Sequence, residues 1–273
     1  MQETMSDEFE IINTHAHVYP LKIAAKASEH VGAFYQIPMA FGEGTVEHLL
    51  AEAVPMGVRK IVIHSVATAK EQVRSINRFL GGFLEHPLLH PFATLHPDMD
   101  EAELRAELDE VRAAGMHGIK LHPDCQQFSI AGRRGRRMLD AIGTGLPVLY
   151  HTGDKRYRFS NPDQMVAVAR DYPHVLFIAA HFGAYSEWEK AELYADVPNV
   201  VFDTSSSLAY ISAERAVELI RGLGVERFMF ATDYPMWKLE DEVSRVLALP
   251  LTVAERKAIF AGNARRLLGI RDA

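Results

Sequence analysis

Two histidines one residue apart, His15 and His17, stand in the segment FEIINTHAHVYP. Apolar residues lead into the pair, so it reads as a first β-strand ending in His-x-His. A strand repeats every two residues, which puts both imidazoles on one face. One strand can then offer two nitrogen ligands to a single metal ion. Later strand-like segments end in residues of the same kind: GIKLHP (Lys120, His122), PVLYHTGD (His151), FIAAHFG (His181) and FMFATDYP (Asp233). Imidazole nitrogen and carboxylate oxygen suit zinc, manganese or iron better than calcium or magnesium. A divalent ion is expected, zinc first and manganese or iron as alternatives, with one or two ions per site. Three histidines and one aspartate leave positions open for water or substrate, as a catalytic ion requires.

Such a set needs strands that end at one place. Eight short apolar runs begin near Ile11, Lys60, Pro91, Gly118, Pro147, Val175, Asn199 and Phe228. After a first step of 49 residues, the steps are 24 to 31 residues, each enough for one strand, one helix and two loops. EAELRAELDEVRAAG has apolar residues at helical spacing with Gly115 as its C-cap. Asn161-Pro162 opens DQMVAVARDY as N-cap and first-turn proline, and SAERAVELIRGLG runs from a Ser212 cap to a glycine stop. The tail AGNARRLLGI reads as a last short helix.

Strands and helices alternating eight times imply an α/β fold with a parallel sheet closed as a (β/α)8 TIM barrel. A doubly wound open sheet is the alternative, but no G-x-G-x-x-G follows the first strand. In a barrel the active site lies at the C-terminal ends of the strands, where the candidate ligands fall. Strand parity agrees: with His151 inward, Leu149 is inward and Val148 and Tyr150 face the helices. With Asp233 inward, Met229 and Ala231 are inward too, while Lys120 and His122 share one face. The long first step implies an insertion. Residues 19–44, with Gly32, Pro38, Gly42 and Gly44, are expected to sit over the mouth as a lid or substrate loop.

Composition bounds the rest. The 273 residues are 48% hydrophobic and 24% charged, ample for one domain spanning 1–273 with a large core. The net charge of −7 argues against a nucleic-acid face or a polybasic membrane anchor. The single cysteine, Cys125, excludes an intramolecular disulfide and fits a cytoplasmic location. No signal-peptide pattern or membrane-length apolar run is evident. The expected partner is a small-molecule substrate, with no nucleic acid and no membrane; a homo-oligomer is left open.

Taken together, these motifs resemble the amidohydrolase superfamily, and within it the amidohydrolase-2 group of TIM-barrel metal-dependent hydrolases and decarboxylases. His-x-His on strand 1, His151 on strand 5, His181 on strand 6 and Asp233 on strand 8 stand in that group's order. GIKLHP, HTGD, ATDYP and the closing GNARRLLG are similar to its phrases. The resemblance implies a metal held by His15, His17, His151 and Asp233, with His181 contacting the metal-bound water or a second metal. Superfamily members with two metals carry a carboxylated lysine on strand 4, where Lys120 falls. Members related to aminocarboxymuconate-semialdehyde decarboxylase manage with one metal, so the metal count stays open.

Other residues supply secondary roles. His122 is a candidate for polarising the substrate or contacting it, and Lys120 for binding an anion or forming an internal salt bridge. Arg156 and Arg158, beside Lys155 on the loop after strand 5, could clamp a substrate anion, and Tyr185 could line the pocket. RRGRR at 133–137 reads as a solvated helix face. Asp203, Ser205 and Ser206 end strand 7 within reach of the pocket. His64 and His96 also end strands and read as loop-packing residues rather than ligands. Cys125 lacks a paired base and is not expected to be a nucleophile.

Two chemistries share this residue set. In a hydrolase, a metal-activated water attacks an amide, lactone or cyclic ester that bears a carboxylate, with Asp233 moving the proton. In a non-oxidative decarboxylase of an aromatic or enoic acid, Asp233 protonates carbon instead. The sequence reading favours hydrolysis slightly. A non-catalytic small-molecule binder is the remote third reading, because binding alone does not need a general base.

Overall fold

In the computed structural model, residues 9–37, 39 and 43–271 are described. Of the four insertion residues singled out above, Pro38 and Gly42 lie outside them. The strand segments are β1 (Ile11–His17), β2 (Val58–His64), β3 (Leu89–Pro91), β4 (Ala93–Thr94), β5 (Ile119–Leu121), β6 (Val148–Tyr150), β7 (Phe177–Ala179), β8 (Val200–Asp203) and β9 (Phe228–Met229). They form two parallel runs, β1-β2-β3 and β4 through β9 in sequence order.

Backbone hydrogen bonds join these runs into a ring. β3 and β4 are two halves of one stave separated only by Phe92, whose N–H donates to Ile63 O of β2 while Ala93 N–H donates to Gly118 O. At the other seam Thr14 N–H donates to Phe230 O (2.9 Å), Asp233 N–H to His15 O (3.0 Å) and His17 N–H to Tyr234 O (2.7 Å). Eight staves therefore close a (β/α)8 barrel, the fold that the eight apolar runs imply.

Inward and outward residues alternate along the staves. Ile12, Val62, Phe92, Leu149, Ile178, Val201 and Met229 pack together inside the barrel. Their neighbours Ile61, Ile119, Val148, Tyr150, Phe177, Val200, Phe228 and Phe230 belong to the larger core under the helices. Towards the C-terminal ends the inward layer turns largely polar: His64, Thr94, Lys120, His151 and Asp203 are all buried there, with Ala180 as an apolar member.

β1 needs a device to join this layer. Simple alternation from the inward Ile12 would aim Thr14 and Ala16 into the barrel. Between the pairs Asn13↔Ile61 and Ala16↔Ile63, three steps on β1 oppose two on β2. This one-residue bulge rephases the strand, so Ile12, His15 and His17 all face inward while Ala16 packs outward. Asn13 stitches the bulge. Its Oδ1 accepts from His15 N–H (3.2 Å) and Thr232 N–H (3.1 Å), and its Nδ2 donates to Thr232 Oγ1 (2.9 Å).

The insertion after β1 is mostly a helix rather than the expected loop. α1 (Leu21–Tyr35) has no proline within it and buries a stripe of small residues, Ala24, Ser28 and Gly32, at four-residue spacing. Gly32 is required there, since a Cβ would lie 2.6 Å from Met39 Cγ. The helix ends where Gln36 turns left-handed at φ 57°.

The other helix expectations stand, with one change. Helix Glu101–Ala114 carries a capping box from Asp100 and ends at Gly115, and Ser212 Oγ caps helix Ala213–Leu223. Asn161 precedes helix Pro162–Asp171 without capping it by its side chain. Its Nδ2 donates instead to Glu187 Oε2 (2.6 Å), a buried partner that competes with the cap. The RRGRR segment lies on helix Arg133–Ile142, where Arg134 pairs with Asp98 and Arg136 with Asp171 at the surface. Among the described residues, no helix is long and apolar enough to cross a membrane.

Candidate metal centre

Three of the expected ligands converge. His15 Nε2 lies 3.3 Å from His17 Nε2, and Asp233 Oδ1 lies 3.3 Å from His15 Nε2 and 3.4 Å from His17 Nε2. Donor atoms around a tetrahedral ion with bonds of about 2.1 Å stand about 3.4 Å apart, so this triangle has the edges of a ligand set.

The protonation pattern fits the same reading. His15 Nδ1 meets Asp203 Oδ2 at 2.8 Å. Burial, with the Lys120 ammonium next, lowers His15 to about 4. The imidazole is therefore neutral, its Nδ1–H donates to Asp203, and Nε2 presents a lone pair. Burial raises Asp203, but His15, His181 and Ser205 outweigh it and hold the carboxylate at about 2. Burial also raises Asp233, and there His15, His17 and His181 win, holding it well below the usual carboxylate range. A lone pair, an anionic oxygen and a second imidazole nitrogen thus face one another, an arrangement that a cation stabilises. The donor set fits a divalent ion held by His15, His17 and Asp233, with Asp203 orienting His15 from behind.

His64 corrects the sequence reading. It is fully buried rather than a loop-packing residue, and its ring stands edge-on to His15 (4.7 Å) and His17 (4.4 Å). Both its ring nitrogens lack a hydrogen-bond partner. With His15 and His17 it forms a group whose nitrogens lie within 4.8 Å of one another, so it is a further candidate ligand. Its parity with the inward Val62 was the signal available in the sequence. His96 does pack a loop, its Nδ1 accepting Asp98 N–H at 3.2 Å.

Lys120 is buried beside the triangle, its Nζ 3.1 Å from His15 Nε2. Burial lowers it to about 8, against the pull of Asp233 and Asp203. The lysine therefore touches the ligand set directly.

The remaining histidines face the triangle as a second group. His151 Nδ1 lies 3.0 Å from His181 Nε2, and His122 stacks on His151 at 4.1 Å and 5°. His181 connects the groups, its ring 5.3 Å from that of His15 and its N–H on Asp203 Oδ1 (2.9 Å). His151 thus shares the chamber, its ring in contact with those of His122, His181, Tyr35 and Tyr185. Burial lowers His122 and His151 well below the ordinary imidazole value. His181, Phe182 and Asp233 hold left-handed backbone (φ 62°, 56° and 59°). This conformation is unfavourable for bulky residues and is found where a site fixes a side chain's aim.

The expected substrate contacts divide. Tyr185 lies in the chamber, its ring 5.6 Å from His151 and 5.7 Å from His181. Arg158 is 75% exposed and faces Asp163 at 3.5 Å. Arg156 is engaged: it chelates Asp154 through Nε and Nη2 and donates from Nη1 to Phe34 O at 2.6 Å. The residue that sequence reasoning missed is Tyr35, at the end of α1. Its hydroxyl reaches His122 Nε2 (2.7 Å) and His151 Nδ1 (3.2 Å). The insertion over the mouth pointed to that element but not to that side chain.

Known structures share the fold. A crystal structure of 5-carboxyvanillate decarboxylase from Sphingomonas paucimobilis (17% identity, TM-score 0.77) matches over 96% of this chain and 100% of that one. A dihydroxybenzoic acid decarboxylase from Polaromonas sp. JS666, with bound manganese and the inhibitor 2-nitroresorcinol, is 16% identical with a TM-score of 0.69 and coverage of 97% and 98%. A proposed 2-pyrone-4,6-dicarboxylic acid hydrolase from Pseudomonas putida is 19% identical with a TM-score of 0.65, covering 96% of this chain and 98% of that one. No curated protein matches the chain. The family model described as amidohydrolase, of the amidohydrolase-2 type, matches residues 12–270, and the chain belongs to that family.

Proposed function

We propose that the chain is a metal-dependent, non-oxidative decarboxylase of a small aromatic or enoic acid. The observation that carries the reading is the triangle of His15 Nε2, His17 Nε2 and Asp233 Oδ1, faced by the neutral imidazoles of His122 and His151. The preference for hydrolysis over decarboxylation in the sequence reading is revised. The structures similar in fold are mostly decarboxylases, including those named for 5-carboxyvanillate and 2,6-dihydroxybenzoate. Manganese, bound in two of the decarboxylases, becomes the preferred ion over zinc.

When bound, the ion supplies Lewis acidity that holds and neutralises the substrate carboxylate. Asp233 starts as an anion and is braced by Ser206 Oγ on Oδ2 (2.6 Å). It takes the proton of a neighbouring substrate hydroxyl and returns it to the carbon that loses CO2. The electron pair of the broken carbon–carboxylate bond stays on that carbon and forms the new C–H bond. His122 and His181 hydrogen-bond substrate oxygens, and Tyr185 packs against the substrate's planar face.

Hydrolysis is the second reading, favoured by the resemblance to the proposed 2-pyrone-4,6-dicarboxylic acid hydrolase. One assay separates the two. Manganese-loaded protein is incubated with 2,6-dihydroxybenzoate and related phenolic acids in D2O, and separately with cyclic esters in 18O-labelled water. Decarboxylation predicts CO2 release and one deuterium on the vacated carbon. Product carrying 18O without CO2 release would overturn it in favour of hydrolysis.

A further inference from the structure

Tyr35 occupies the approach to the catalytic histidines. His122 Nδ1 accepts Cys125 N–H (3.3 Å), so in the neutral ring Nε2 carries the proton and donates to Tyr35 Oη. The Tyr35 hydroxyl in turn points at His151 Nδ1, and its ring stands edge-on to Tyr185 at 5.5 Å. With Tyr35 there, His122 is 5% exposed and His151 and His181 are 2% exposed. A planar acid cannot reach these imidazoles without displacing the phenol.

Among the described residues, the loop after β6 ties down the helix end that carries Tyr35. Arg156 Nη1 donates to Phe34 O, a carbonyl in the last turn of α1, and the guanidinium lies 4.9 Å over Phe34 and 5.5 Å over Tyr35. Phe34 stacks on Tyr157 of the same loop (5.7 Å, 16°). Asp154, 1% exposed, grips the other side of Arg156, so the arginine is already neutralised and aimed. An arginine in this setting is a poor clamp for a substrate anion, because Asp154 would repel that anion.

We propose that the last turn of α1 is a gate. Tyr35 is its plug and, once substrate enters, its specificity-determining contact. Arg156 is the latch that holds the gate shut, rather than a substrate clamp. Gln36, left-handed at φ 57°, is the joint at which the helix end gives way to the following segment. The proposal concerns access to the chamber and holds for either chemistry considered above.

Access can be measured without substrate. In the first experiment, zinc-loaded wild type, Tyr35→Phe and Arg156→Gln are mixed with the coloured chelator 4-(2-pyridylazo)resorcinol, and the rate of metal extraction is read by absorbance. In the second, metal-free chains are treated with diethylpyrocarbonate, and modification of each histidine is followed by peptide mass spectrometry. The gate predicts extraction about tenfold faster in Arg156→Gln and several-fold faster in Tyr35→Phe, as expected for loss of one charge-assisted or one neutral hydrogen bond. It predicts matching acceleration at His122 and His151, while exposed His174 is unchanged.

His90, buried at the opposite end of the barrel, reports global loosening. If His90 modification rises in step with His122, the variant is loosened throughout and a local gate is overturned. Unchanged rates in both variants overturn it as well, and leave Arg156 as a substrate clamp visible only in KM. A chain that retains no zinc contradicts the metal site but not the gate, which the metal-free experiment then decides alone.

Discussion

At the scale of single residues, the site works by setting which atoms hold protons. Asp203 fixes His15 with Nδ1 protonated and Nε2 bare, so it would govern a bound metal without touching it. Outer partners of this kind change metal affinity by about 10- to 100-fold when removed. Asp203→Asn is therefore expected to weaken manganese binding by that factor while the fold persists, as measured by calorimetric titration; unchanged affinity would remove Asp203 from the site. In the proposed reaction Asp233 both holds the ion and moves the proton. Asp233→Asn should lower turnover by at least ~10² with secondary structure intact, and near-normal turnover would end its proton-transfer role. His15, His17 and Asp233 were legible in the sequence because each ends an apolar run. Tyr35 was not legible: a tyrosine closing an amphipathic helix has the same local pattern whether it packs on a surface or plugs a chamber.

At the scale of elements, most of the barrel could be read from apolar runs and their spacing. A buried parallel strand leaves a short apolar signature, and the loop–helix–strand repeat leaves a regular step. The β1 bulge left no such mark. Period-two alternation explains why His15 and His17 share a face, yet it would turn Ile12 away from them. Only the paired register shows the extra residue, and only the contacts of Asn13 show what holds it. Asn13→Ala removes three side-chain hydrogen bonds around the bulge. It is expected to cost about 1–3 kcal/mol of stability and to weaken metal binding together, read by chemical denaturation and titration. A loss of stability with unchanged affinity would show that the bulge does not aim the histidines. The insertion is expected as a loop from its glycines and Pro38, but the fifteen residues from Leu21 pack as a helix because Ala24, Ser28 and Gly32 make one small, buried stripe.

At the scale of the whole molecule, the end of the barrel opposite the candidate site adds an acid sensitivity of its own. His90 and His117 stack face to face at 3.7 Å and 3°, and His90 Nε2 has no hydrogen-bond partner. Burial, with His117 and Lys60 adding to it, lowers His90 to about 3, and burial with Lys60 lowers His117. The folded state disfavours protonating either ring, whereas the unfolded chain takes up protons near pH 6.5. Their contribution is thus fully present above about pH 6.5 and is lost as pH falls from there toward 3. Urea midpoints between pH 7 and 4 should fall with acid in the wild type and fall less steeply in His90→Gln; equal slopes would show that this pair does not drive the acid limb. The metal triangle at the mouth is tested by metal content after manganese loading and dialysis, in wild type, His15→Ala and His17→Ala. The wild type is expected to hold an ion that both variants lose while their circular dichroism is unchanged. Retention of the ion in both variants, or full turnover by the metal-free wild type, would contradict it.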